Sequence, residues 1–440
     1  MERESATTIS HAADCQAAFS HEALKGGIPD DVEDRARLVL LDTLGCMVLG
    51  SRLETKIKGL HATTLDATSL ILRTELYEGN RFAHGHPAVH IVPALVFCQD
   101  ADRLSIEEAL RILVASYEVA SRWGMSIRMS LDFLGHGSPL NVGAAVAEGL
   151  IRGFGQDKLR DAILLTASLP VTSVWQSVWE GSALHDFYPG LGALAAEKAL
   201  ELAERGACAS GDLVRSAWVD ILRADFDDSH LAEDMGDVWL ITKNYFKDNS
   251  GCRFANMYTD ALAKMMASDG VNAQNVESIT VRAYEKASRL DGITPSSRMY
   301  IHFSIPCLLA VQLLEGNVEP TSIDYALAHK REEVVSLAKR IRVCHDVGLD
   351  ALLPDTRAGK LEVDLSSGEA FEQQMLGTPG DFDGSVPYGS DEVLNKFHRM
   401  CDGAISPGLA ERLEDLVMRG GDSDTVGSLR GLLMKAIPFT

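Results

Sequence analysis

The feature that most restricts this chain is a change of hydrophobic period near residue 270, followed by a return to the first period near residue 391. Up to the first change, apolar residues recur at helical spacing. Val32, Ala36, Val39, Leu40 and Leu44 follow Asp30 and Asp31, which can cap a helix. Ser105 with Glu108 reads as a capping box, and behind it Ile106, Ala109, Leu110, Leu113 and Tyr117 make one face. Asn141 to Gly153 and Leu191 to Arg205 are rich in small residues that let helices approach closely, and Gly206 ends the second stretch. Beyond residue 270, Val276–Tyr284, Arg340–Cys344 and Lys360–Leu365 alternate or carry β-branched residues, with a helical pattern from Ile323 to Lys339 between them. Helical patterns resume at Asp391–Cys401 and from Pro407, after a turn-rich run from Gly377 to Ser390. The expectation is a mostly α protein. A large all-helical domain spans 1–270 and is completed by 402–440, with a smaller α/β domain inserted at 271–401.

The length of 440 residues agrees, because roughly 100 to 200 residues per domain gives two or three domains. No apolar run approaches the roughly 20 residues of a membrane span. A formal charge of −22, without a Lys/Arg cluster, argues against nucleic acid and anionic membrane surfaces as partners. The first residues lack the pattern of a signal or transit peptide, so a cytoplasmic location is expected. Eight scattered cysteines without a C-x-x-C pair read as reduced, mostly buried thiols.

Nucleotide-binding glycine motifs, a G-x-S-x-G elbow and H-E-x-x-H are all absent. His84, His86 and His90 in AHGHPAVH have spacing that could serve zinc, but structural or acid/base histidines are the preferred reading, and no metal or other cofactor is expected.

Several stretches in order resemble the MmgE/PrpD family, whose members include 2-methylcitrate dehydratase, cis-aconitate decarboxylase and iminodisuccinate epimerase. They are RARLVLLDTLGCMVLGS, HPAVHIVPALVFCQDADRLSIEEALRILVASYEVASRWG, LGHGSPLNVGAAVAEGLIRGFG, ITKNYFKDNSGCRFANMYTDAL, FSIPCLLAVQLLEGNV, KLEVDLSSGEAFEQQMLGTPGD and DEVLNKFHRMC. The resemblance implies an all-helical domain with an α/β lid domain, usually a homodimer, and a cofactor-free site between the domains for a small anionic carboxylate.

Carried over by position, the family's HP histidine matches His86, a second histidine matches His136, and the lysine of the F-K-x-x-x-x-C stretch matches Lys247, followed by Cys252 and Arg253. Chemistry gives these three catalytic roles. An enediolate-like anion needs a fixed cation such as Lys247, and histidines near a pKa of roughly 6.5 exchange protons at neutral pH. His86 and His136 would divide base and acid. The family's acidic run before the HP histidine is reduced to Glu75, Leu76, Tyr77 and Glu78, which makes Glu78 the candidate carboxylate. A second family lysine is replaced by His185 in one alignment and by Glu180 in another, and a family tyrosine by Cys307. Glu78, His185, Arg253 and Cys307 are therefore the expected substrate-binding residues. A basic pocket from Lys247, Arg253 and Arg298 would admit an anion to an acidic protein.

The first functional reading is a lyase that dehydrates a citrate-like acid, such as 2-methylcitrate or an alkylcitrate. A decarboxylase or epimerase of a cis-aconitate-like or iminodisuccinate-like acid reuses the same proton transfer. A diverged homologue that binds a metabolite without turnover is the reading outside enzymes.

Overall fold

A computed structural model describes residues 2–55, 57–353, 355–384 and 386–439. Its longer elements begin with eight helices: α1 (Glu2–Leu24), α2 (Asp30–Gly50), α3 (Thr64–Leu72), α4 (Pro87–Phe97), α5 (Ile106–Ser126), α6 (Val142–Ile151), α7 (Gln156–Ala167) and α8 (Tyr188–Glu204). The Ser105/Glu108 capping box forms at the start of α5, with reciprocal bonds of 3.1 and 2.8 Å. Pro29, not an aspartate, is the N-cap of α2, and Asp30 and Asp31 sit in its first turn, where their charge favours the helix dipole.

The second part comprises α9 (Arg253–Ser268), β1 (Val276–Ala283), α10 (Ile305–Glu315), α11 (Pro320–His329), α12 (Arg331–Ala338), β2 (Ile341–His345), β3 (Gly359–Leu365) and β4 (Ala370–Met375). The strands lie in the order β2-β1-β3-β4, with β1 parallel to β2 and antiparallel to β3, and β3 antiparallel to β4. Leu361, Val363 and Leu365 point into the core, while Lys360 and Glu362 on the other face join Arg282 and Glu372 in ion pairs. The expected helix at 323–339 is broken in two at Lys330, whose φ of −132° leaves the helical region.

The chain then returns to the helical part through α13 (Ser390–Cys401), α14 (Pro407–Arg419) and α15 (Val426–Ala436). Two large hydrophobic cores result. One gathers residues from Ile9 to Phe246 with Val393 to Ile437, the other Cys252 to Met375 with Leu134, Trp175 and Val178. The cores thus divide the chain near residue 250 and between 375 and 393, so α9 belongs to the α/β part and α13 to the helical part. Both lie across the expected boundaries at 270 and 401. No described helix is long and apolar enough to cross a membrane.

Close helix packing prepares the site. A Cβ on Gly143 of α6 would stand 2.9 Å from Ala120 of α5 and from Ile91 of α4. Only hydrogen lets these helices meet so tightly, and the loops leading into α4 and α6 carry His86 and His136.

Candidate active site

The segment from Thr74 to His86 connects α3 to α4 and supplies most of the site. Glu75 has φ +50°, a left-handed conformation uncommon for any residue but glycine, and it is almost fully buried. Such an outlier is held only when the surroundings over-determine it. They do so here: Lys396 of α13 donates to the Leu76 carbonyl at 2.6 Å and to Asp42 at 2.5 Å, and Asp42 accepts from the Glu78 N–H at 3.1 Å. A buried ion pair between α2 and α13 therefore pins both sides of Tyr77. Further on, Gly79–Asn80 pairs antiparallel with Asn244–Tyr245, and a Cβ on Gly79 would lie 2.4 Å from the Tyr245 hydroxyl and 2.7 Å from His86 Nδ1.

Side chains in this segment alternate. Glu75 borders the cleft and Tyr77 packs against His86 and His136 behind its wall, while Glu78 turns into the helical core. Its two oxygens accept from the Ala88 N–H at 3.0 Å, the Tyr117 hydroxyl at 2.8 Å and Asn244 Nδ2 at 3.4 Å, and burial pushes its carboxyl up to about 7. Glu78 is thus occupied by the protein itself, and the carboxylate beside the histidines is Glu75. The expectation that Glu78 binds substrate gives way to a scaffolding position.

His86 donates from Nδ1 to the Glu78 carbonyl at 2.7 Å, which leaves Nε2 with its lone pair on the cleft side. His136 Nε2 lies 3.0 Å from the Tyr77 hydroxyl, which itself makes a very short bond to Glu75 Oε1. Because the hydroxyl proton goes to the carboxylate, the imidazole donates from Nε2, and its buried Nδ1 is left unpartnered. The two rings stand 5.0 Å apart. Burial holds both well below the ordinary histidine range, aided by Lys247 for His86 and by His185 and His86 for His136. Both are neutral bases near pH 7.

Lys247 is fully buried beneath this row. Its ammonium bonds Glu75 Oε2 at 3.2 Å and the Gly251 carbonyl at 3.2 Å, and lies 4.5 Å over the Tyr77 ring. It fixes Glu75 and does not line the cleft. His185 lies behind His136, rings 4.8 Å apart, with Nε2 3.7 Å from Glu75. Glu180, the other alignment's choice, is exposed and bonds Gln176.

The cleft between the two cores has a volume of about 80 Å³ and is lined by His84, His86, His136, Trp175, Tyr245, Arg253, Phe254, Lys286, Phe303 and Arg357 among others. Arg253 pairs with Asp381 at 2.8 Å and stands over the Tyr245 ring. Cys307 is absent from the wall: its Sγ faces the Gly292 carbonyl at 3.6 Å inside the α/β core, and Phe303, one turn earlier, lines the cleft instead. Arg298 is spent on Asp324 outside the cleft.

Residues 250–419 match the model of the MmgE/PrpD C-terminal domain. Two cis-aconitate decarboxylase sequences from Aspergillus terreus, one of strain NIH 2624, each align at 20% identity over 89% of this chain and 89% of their own length. Residues 250–419 thus resemble the C-terminal domain of the MmgE/PrpD family.

The MmgE/PrpD segment matched includes Arg253, Lys286 and Arg357, whereas His86, His136, His185 and Lys247 precede it, so their grouping rests on geometry alone. Glu75, His136 and His185 bring ligand-type atoms within 4.8 Å of one another, close enough for a metal ion. The surroundings fit a metal poorly. Lys247 already balances Glu75, and the Tyr77 hydroxyl stands between Glu75 and His136. A hydrogen-bonded row running from His136 through Tyr77 to Glu75 and Lys247 is suited to orienting an imidazole and compensating its charge. Sequence reasoning missed Tyr77, Tyr245, Lys286 and Arg357. Tyr77 alone had a signal, its place one residue before Glu78 in the acidic run.

Proposed function

We propose that this protein is a lyase that removes the proton α to a carboxylate of a small citrate-like polycarboxylate and expels a hydroxyl as water. The observation that carries the reading is the pair of neutral imidazoles on one cleft wall, His136 with a free Nδ1 and His86 with a free Nε2. Neutral rings suit abstraction of a proton as the opening step. His136 takes the proton on Nδ1 while its Nε2–H stays on Tyr77, and the imidazolium formed is compensated by Glu75. The electron pair of the broken C–H bond is held first as the enediolate of the adjacent carboxylate and then forms the double bond as the C–O bond breaks. The imidazolium returns its proton to the departing oxygen, and His86 holds the hydroxyl through Nε2. Each histidine is worth roughly 10² to 10⁴ in rate as an acid/base group. A homodimer, as the family implies, belongs to the same proposal and is checked by light scattering.

The test is turnover of citrate, 2-methylcitrate, longer alkylcitrates, cis-aconitate and iminodisuccinate in deuterated water, followed by mass spectrometry after chelator treatment. Loss of water is expected, with turnover unaffected by the chelator. His136→Asn should abolish solvent deuterium exchange at the α-carbon, while His86→Asn retains exchange but loses elimination; the reverse pattern would exchange their roles. Release of CO2 without loss of water would replace dehydration by decarboxylation, the reading that the names of the two Aspergillus terreus relatives favour.

A further inference from the structure

Two cations in the cleft make no direct ion pair, although Asp381, already bonded to Arg253, is near enough to favour the charge on Arg357. Lys286 lies in the turn of helix that follows β1, and Arg357 lies two residues before β3. Ala283 and Gly359 are register partners across these antiparallel strands, so both cations leave the same end of the sheet, the end that faces the helical part. Each stands by the Phe254 ring, with the Lys286 ammonium 5.6 Å and the Arg357 guanidinium 5.4 Å from its centroid. Both line the cleft with His86 and His136. Among the described residues neither makes a hydrogen bond or an ion pair. Four other cations are matched: Arg253 with Asp381, Lys247 with Glu75, Arg289 with Asp132 and Arg81 with Asp383.

The Lys286 ammonium, partly withdrawn from water beside Arg357, is unfavourably placed until an anion joins it. Their field is felt locally. Burial lowers the Lys286 proton affinity and Arg357 lowers it further, while His84, between the cleft and the adjoining chamber, is pushed down to about 4 by burial, Arg357, Lys286 and Arg128. In a chain of net charge −22 this is a deliberate positive spot. An Arg fork beside a Lys point charge matches a carboxylate.

We infer that Lys286 and Arg357 form a carboxylate clamp, contributed by the α/β part, that holds a carboxyl group remote from the carbon whose proton His136 removes. The inference rests on the polycarboxylate reading above and narrows it: substrates carry at least two carboxylates, one for the clamp and one at the reacting end. Monocarboxylic acids are poor ligands.

Calorimetry on the intact protein with propane-1,2,3-tricarboxylate, which has no hydroxyl to lose, separates binding from turnover. Butyrate and inorganic phosphate serve as further probes, with Lys286→Met, Arg357→Met and Arg357→Lys as variants whose melting temperatures report folding. The expected result is that each Met variant weakens tricarboxylate binding at least tenfold, Arg357→Lys restores part of it, and butyrate binds weakly and equally to all. Raised KM with kcat little changed should accompany this on any substrate turned over. Equal tricarboxylate affinity in wild type and Met variants overturns the clamp and leaves the polycarboxylate reading standing. Phosphate binding that depends on both residues, without tricarboxylate binding, keeps an anion clamp and overturns the polycarboxylate reading. Binding of neither probe by the wild-type protein overturns both.

Discussion

Lys247 and Glu75 are a buried ion pair whose value is seen by breaking it. With Lys247 fully buried and Glu75 almost so, Lys247→Met strands a carboxylate and should cost about 3 to 5 kcal/mol in denaturant unfolding. Adding Glu75→Gln removes the stranded charge, so the double variant should be more stable than Lys247→Met alone although it stays inactive. A double variant no more stable than the single would refute the pairing. The histidines carry a pH prediction. Their pKa values are depressed, so the neutral forms persist as pH falls through 6.5, and the acid limb of kcat/KM should have its midpoint below 6.5. An acid limb above 6.5 would contradict the electrostatics. At this scale the sequence carried His86 and His136 to the cleft but chose the wrong glutamate. Glu75 and Glu78 are equivalent in composition, and their separation depends on a left-handed turn at Glu75, which no pattern announces. Lys247 was legible as a position, not as a side chain whose charge is consumed internally.

Elements decide how far apart the two imidazoles stand. The tight meeting of α4, α5 and α6 around Gly143 predicts that Gly143→Val overpacks the contact, costs about 1 to 3 kcal/mol and lowers kcat beyond the loss of folded protein. Activity per folded molecule equal to wild type would show that helix spacing does not set the site. Helices were the legible part of the chain because their apolar stripes are long. β4 escaped because AFEQQM is an edge strand with only Met375 buried, so there was no alternation of apolar residues to read. The placement of α9 and α13 escaped for another reason: both are strongly amphipathic, and an apolar face says that a helix packs without saying against which core.

For the whole molecule, the cleft runs between two cores, so a polycarboxylate that touches His136 on one side and Lys286 on the other ties the two together. Saturating ligand at 100 times Kd should add about 2.7 kcal/mol to unfolding stability, and a single cooperative melt should move upward. Two separate melts, of which only one shifts, would show that the ligand contacts one core alone. The change of period near residue 270 is followed by the four-stranded sheet, whereas Lys286 and Arg357 lie outside the alternating stretches and nothing in the pattern singled them out.

Lys396 also fixes when the site can exist. Glu75 and Tyr77 leave the ribosome early, yet the ammonium that grips the Leu76 carbonyl and Asp42 arrives more than three hundred residues later, on α13. Without α13, Asp42 would lack its partner, so the helical part cannot close around the site before the α/β insertion has been passed. The helix α13 is therefore the keystone of the site, which is complete only once that helix has packed against α2.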